Sequence, residues 1–196
     1  MKHSIHQILN QLPNHIEGRF IIGIDGLSRS GKTTLVKQLS QQLSKRNLPF
    51  HLFHIDNHIV ERSKRYQTGH EEWYEYYHLQ WDVGWLREHF FKPLRSAQQL
   101  TLPYYDSGLD TQHIHKIKLS DTTLVLIEGV FLQRKEWRKF FDKIIYLDCP
   151  RDIRFSREDI ESQKNKEKFQ NRYWKAESYY VQTEEPIEKA DLVIRG

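Results

Sequence analysis

Residues 19–33 read Arg19-Phe20-Ile21-Ile22-Gly23-Ile24-Asp25-Gly26-Leu27-Ser28-Arg29-Ser30-Gly31-Lys32-Thr33. The isoleucine-rich start is the kind of run that forms a strand buried on both faces, and downstream Leu35, Leu39 and Leu43 recur at helical spacing. Between strand and helix lies a complete G-x-x-x-x-G-K-[ST] pattern at residues 26–33. Glycine is needed at 26 and 31 because a side chain at either place would block close wrapping around an anion or forbid the turn. Gly26, Leu27, Ser28, Arg29, Ser30, Gly31, Lys32, Thr33 and Thr34 are therefore expected to cradle the polyphosphate of ATP or GTP. Lys32 should reach the terminal phosphates and the Thr33 hydroxyl should ligand Mg²⁺, while the helix start adds its partial positive charge.

Composition sets limits around this loop. A chain of 196 residues suits one domain spanning 1–196 with a sizeable core. Its formal charge of +4, with acids and bases interleaved, permits a nucleic-acid partner without indicating one, and anionic nucleotides explain the bias as well. A single cysteine, Cys149, and an N-terminus without an apolar secretion signal point to a reducing cytoplasm. No apolar run approaches the length that spans a membrane, so no membrane partner is expected. The eleven histidines form no H-E-x-x-H pattern, and His113 and His115 alternate along a strand, so no zinc site is expected. Whether the chain forms a homo-oligomer is left open.

The order of elements reads as an α/β fold with a mostly parallel sheet. Ile5, Ile8, Leu9 and Leu12 predict an amphipathic N-terminal helix within 1–17, ended at Pro13. A second strand is expected over 50–55, ending on Asp56, and a helix over 81–94 with Val83, Leu86, Phe90 and Leu94 on one face. Residues 99–106 and 112–119 alternate around a Ser-Gly turn and predict a β-hairpin. Strands at 123–127, 143–148 and 192–194 complete the sheet. The aromatics Trp73, Tyr74, Tyr76, Tyr77, Trp81 and Trp85 are read as core or lid packing ahead of stacking on an acceptor.

Ligands of open α/β sheets bind beyond the carboxyl ends of the strands, where Asp25, Asp56 and Glu128 fall. Asp25 is read as a brace of the loop. Asp56 is placed to accept a proton from an attacking hydroxyl or to hold Mg²⁺ through water. Glu128, after four apolar residues, is a further metal candidate. In the stretch 151–175, Arg154 and Arg157 stand three apart on one helical face and are expected in a closing lid, stabilising charge on a transferring phosphoryl group. The competing reading of that stretch is a solvated helix laced with pairs such as Arg157–Glu161; Lys164, Lys166 and Lys168 fit either.

Together the loop, Asp56, Pro103-Tyr104-Tyr105-Asp106, Ile127-Glu128-Gly129-Val130, Asp152-Ile153-Arg154-Phe155-Ser156-Arg157 and Ala190-Asp191-Leu192-Val193-Ile194 resemble the uridine kinase family, grouped with phosphoribulokinase and pantothenate kinase. The resemblance implies a three-layer P-loop NTPase fold with a helical lid and ATP- or GTP-dependent phosphorylation of a nucleoside hydroxyl. It also implies Asp56 as general base, Arg154 and Arg157 as lid arginines, and Tyr105 as a nucleoside contact; with Lys32 of the loop, Asp56, Arg154 and Arg157 are the catalytic candidates. His58 is a further acceptor candidate. The chain departs from the family pattern at Asn57-His58-Ile59, where a serine, an aromatic and a tyrosine are usual. It departs again at residues 107–111, where a His-Ser-Arg element is usual, and at Glu158, where an arginine is usual. These departures fall on the acceptor side and the lid. The function expected is thus an ATP-dependent small-molecule kinase acting on a nucleoside or related metabolite, with ATP or GTP and Mg²⁺ as cofactors. The alternative is a nucleotide-dependent ATPase or switch without a small acceptor, or a binding protein of the same fold.

Overall fold

The apolar strands of the sequence lie side by side and parallel. The computed structural model describes residues 2–196. Its strands are β1 (Phe20–Gly26), β2 (Phe50–His54), β3 (Gln99–Asp106), β4 (Thr111–Lys118), β5 (Leu124–Gly129), β6 (Lys143–Asp148) and β7 (Leu192–Arg195). Five of them form one parallel sheet in the order β2-β5-β1-β6-β7, and β3 and β4 pair antiparallel as a separate hairpin. Registers such as Asp25 opposite Gly129 and His54 opposite Glu128 bring the acidic strand ends to one edge.

Successive strand residues point to opposite faces, and this alternation divides the core in two. Ile22, Ile24, Leu124, Leu126, Ile145 and Leu147 face α1 (Lys2–Leu9) and α2 (Lys32–Lys45), which contribute Ile5, Ile8, Leu35, Leu39 and Leu43. Ile21, Val125, Ile127 and Tyr146 face the other way, into a layer built from Tyr76, Tyr77, Trp81, Phe90, Phe91 and Tyr180. Helix, sheet and helix make the three layers. Burial on both faces is the physical reason these strands read as unbroken apolar runs.

The local differences from expectation have simple causes. The N-terminal helix closes at Leu9, and Gln11 and Leu12 continue in turns bonded to Ile8 and Leu9. The helix expected over 81–94 is three short pieces, Val83–Leu86, Arg87–Phe91 and Pro93–Arg95. A widened turn at Arg87–Phe91 brings the consecutive Phe90 and Phe91 into the core together, and Leu86 and Leu94 are buried as the spacing required. Most of the aromatic stretch packs, with Tyr76, Tyr77 and Trp81 buried. Buried Arg19 fixes the base of the hairpin by donating to the carbonyls of Leu94, Ala97 and Leu119. Among the described residues no helix is long and apolar enough to cross a membrane.

Candidate active site

The phosphate loop leaves the end of β1 in the shape its glycines predict. Gly26 has φ +153°, and a Cβ there would lie 2.8 Å from the Leu147 carbonyl and from Ser30 Oγ. Gly31, φ +102°, opens α2 in a left-handed conformation that a side chain would strain. Lys32 is buried and its Nζ donates to the Leu27 carbonyl at 2.9 Å, so the cation is folded into the loop. Desolvation lowers the Lys32 pKa, opposed by the nearby carboxylates of Glu128, Asp56 and Asp25. Asp25 is fully buried and braces the loop from behind: its carboxylate accepts from Tyr180 Oη at 2.5 Å, Gln133 Nε2 at 3.1 Å and the Leu132 N–H at 3.3 Å.

Lys32, Thr33, Asp56, Glu128, Arg154 and Arg157 all line one cavity of about 860 Å³. Asp56 stands in a short 3₁₀ turn, Ile55–His58, just past β2. Its carboxylate is open to the cavity but hemmed in by protein. Desolvation raises its pKa; Lys32 lowers it and Glu128 raises it. The turn sits close against β5, since a Cβ on Gly129 would fall 2.1 Å from Ile55 Cγ2.

Glu128 is buried at the end of β5. One oxygen, Oε1, accepts from Thr33 Oγ1 at 3.3 Å and from His54 Nδ1 at 2.8 Å. That bond to Glu128 is the main reason the His54 pKa is raised. The other oxygen, Oε2, is buried without a hydrogen-bond partner. An orphaned hard oxygen beside a threonine hydroxyl at the mouth of a phosphate loop suits Mg²⁺, which takes one or two protein oxygens and fills its shell with water and phosphate. Among the described residues no cluster of three His, Cys, Asp or Glu side chains is arranged to hold a metal by itself.

The two arginines expected over the phosphates have different surroundings. Arg154, in the helix Arg151–Ser156, is buried and paired bidentately with Glu177 at 2.8 and 3.0 Å, and also donates to the Ser28 and Cys149 carbonyls. It brackets the loop. Arg157 is exposed at the loop's mouth, where Nη1 donates to the Arg29 carbonyl at 2.8 Å. Glu158, the departure from the family pattern, pairs with Arg29 at 2.8 Å. The surface pair Arg157–Glu161 does not form; Glu161 pairs with Lys164.

Two acceptor-side candidates lie away from this cavity. Tyr105 is not on the cavity wall: its hydroxyl donates to Asp110 at 2.8 Å and accepts from Arg65 at 3.1 Å. His58 is 1% exposed and lines a different, smaller cleft of about 700 Å³ beside the hairpin. Its Nδ1 lies 2.7 Å from the Pro103 carbonyl, which can only accept, so Nδ1 carries the proton. Burial then pushes the His58 pKa down to about 4. His58 thus holds the hairpin to the 3₁₀ turn, and Tyr105 ties it to Arg65 in the helix Arg62–Arg65. Sequence reasoning missed His54, Glu177 and the cavity's aromatic wall of Phe155, Phe169 and Trp174; the only local signal was an isolated acid among the aromatics of residues 173–180.

Comparison with known proteins fits this geometry. The family model described as phosphoribulokinase / uridine kinase matches residues 21–169, which include the phosphate loop, Asp56, Glu128, Arg154 and Arg157. A uridine kinase of Borrelia duttonii (strain Ly) is 32% identical over 143 residues, 70% of this chain and 64% of that protein, so the chain spans less than two thirds of that relative. A uridine kinase of Staphylococcus haemolyticus is 27% identical over 184 residues, 89% of this chain and 86% of its own. A solved structure from Bacillus stearothermophilus, described as a possible uridine kinase, superposes with a TM-score of 0.86 at 53% identity, covering 98% of this chain and 96% of that one. With the loop, the strand-end carboxylates and the matched stretch coinciding, the chain belongs to the phosphoribulokinase / uridine kinase family.

Proposed function

We propose that the chain transfers the γ-phosphoryl group of ATP to a hydroxyl of a nucleoside or related small metabolite. The observation that carries this reading is the position of Asp56: a carboxylate with a raised pKa, open to the cavity that the phosphate loop also lines. A protein that only binds a nucleotide has no need of an acidic group there to receive the proton of an attacking hydroxyl.

The residues divide the work. The backbone N–H groups of the loop and Lys32 hold the terminal phosphates and offset the charge that spreads over the equatorial oxygens. Thr33 and Glu128 would hold Mg²⁺, which supplies further neutralisation when bound. Asp56 orients the acceptor hydroxyl and takes its proton as the oxygen forms its bond to the γ-phosphorus. The bond from that phosphorus to the bridging oxygen breaks, leaving ADP and a phosphate monoester. Arg157 is the arginine available to close over the transferring group, in a lid spanning 151–175. Nucleosides are the first acceptors to try, because the relatives are uridine kinases; the departures at 57–59 and 107–111 favour an acceptor other than uridine. ADP release measured with and without a panel of nucleosides, sugars and vitamins tests the proposal. Acceptor-stimulated turnover is expected, and release that no acceptor stimulates would favour an ATPase or switch instead.

A further inference from the structure

The helix Lys175–Glu184 reaches the back of the phosphate loop with two side chains one turn apart, Glu177 and Tyr180. Both are buried, at 2% and 0% exposure. Tyr180 holds Asp25, the residue before the loop. Glu177 grips the loop itself: Oε1 accepts from the Ser28 N–H at 3.2 Å and from Arg154 Nη1 at 2.8 Å, and Oε2 accepts from Arg154 Nη2 at 3.0 Å. Arg154 Nη1 in turn donates to the Ser28 carbonyl at 3.0 Å. The two polar backbone groups of Ser28 are thus both held by one buried ion pair.

The placement is costly for a kinase. Glu177 lines the cavity that would receive a polyphosphate, and a buried negative charge there opposes an anionic ligand. A neutral side chain of the same shape would avoid that repulsion but would leave the Arg154 guanidinium without a carboxylate to orient it. We infer that Glu177 is a positioning residue: through Arg154 and Ser28 it presets the shape of the phosphate loop for its nucleotide. This inference rests on the proposed nucleotide site but not on any acceptor. Residues 151–174 lead directly into this helix, so their arrangement and that of the loop are joined through Glu177.

The sign of one measurement separates positioning from simple electrostatics. If Glu177 acts only as a nearby charge, Glu177→Gln tightens ATP binding. If it positions the loop, Glu177→Gln weakens binding roughly tenfold, the size expected from losing one charge-assisted hydrogen bond. The affinity is read by calorimetric titration with ATP, well below the melting temperature, so no acceptor is involved and a failure of phosphoryl transfer would not disturb it. The loss should shrink when Arg154 is already Gln, because the charge-assisted part of the effect runs through that side chain. Should Glu177→Gln not fold, the paired replacement Arg154→Met with Glu177→Leu removes both charges at similar volume and serves as the second variant. It too is expected to bind ATP roughly tenfold more weakly. Unchanged or tighter binding in either variant, or a loss in Glu177→Gln that persists undiminished beside Arg154→Gln, would overturn the inference.

Discussion

The two sides of the cavity are built by different means. On the donor side, the loop at 26–33 is shaped by glycine backbone and locked from behind by buried partners: Asp25 by Tyr180 and Gln133, Ser28 by Glu177 and Arg154. On the acceptor side, Asp56 rides a single 3₁₀ turn, and the hairpin packed against that turn lies off the main sheet and off the cavity wall, fastened by side chains such as His58 and Arg62. A backbone-made site tolerates little change and serves any nucleoside triphosphate. A hairpin held by side chains off the main sheet can be altered without disturbing the chemistry, and the departures from the family pattern at 57–59 and 107–111 fall on it and on the turn it packs against.

Breaking the donor side should have the largest effect. Lys32→Ala removes the buried cation from both ground state and transition state, so kcat/KM should fall by roughly 10³-fold or more, with weaker nucleotide binding in titration. A variant with ordinary kinetics would take the loop out of the mechanism. The joint between the two sides is the close contact of β5 with the Asp56 turn. Gly129→Ala places a methyl group against Ile55 and should cost about 1–3 kcal/mol in thermal or denaturant unfolding; a fully stable variant would show that the two sides are not packed together.

The hairpin attachment can be tested through pH. His58 has a folded pKa of about 4, below its ordinary value of 6.5, so below that value the unfolded chain takes up a proton that the folded chain refuses. Stability present at neutral pH is therefore lost as pH falls from 6.5 towards 4, by about 2 kcal/mol between about pH 7 and pH 5. Urea unfolding of the wild type and His58→Gln at those two values should show that slope only in the wild type. The smallest effect belongs to Tyr105→Phe. Its hydroxyl serves Asp110 and Arg65, so about 1 kcal/mol of stability should go while the acceptor KM hardly moves. A large rise in acceptor KM would return Tyr105 to the substrate wall.

The same contrast decides what was legible in the sequence. The loop could be read because glycine conformation and phosphate chemistry demand certain residues at fixed spacing. The central strands could be read because burial on both faces leaves unbroken apolar runs. Partners distant in the chain left no local trace: Glu177 meets Ser28 across 149 positions, and His54 meets Glu128 across 74. Spacing put Arg154 and Arg157 on one helical face, but only the packing of Glu177 decides that Arg154 turns inward while Arg157 is left at the loop's mouth. Tyr105 is named by the family resemblance and His58 only as a neighbour of Asp56; contacts to Asp110, Arg65 and Pro103, which no local pattern announces, keep both off the cavity wall.

The central claim is that a nucleotide-holding side and a proton-accepting side meet at Asp56, and Asp56→Asn separates them. In one preparation, ATP affinity by calorimetry and acceptor-stimulated ADP release should part company: affinity unchanged within about twofold, turnover down by at least about 10²-fold. Turnover equal to the wild type at equal affinity would contradict the account.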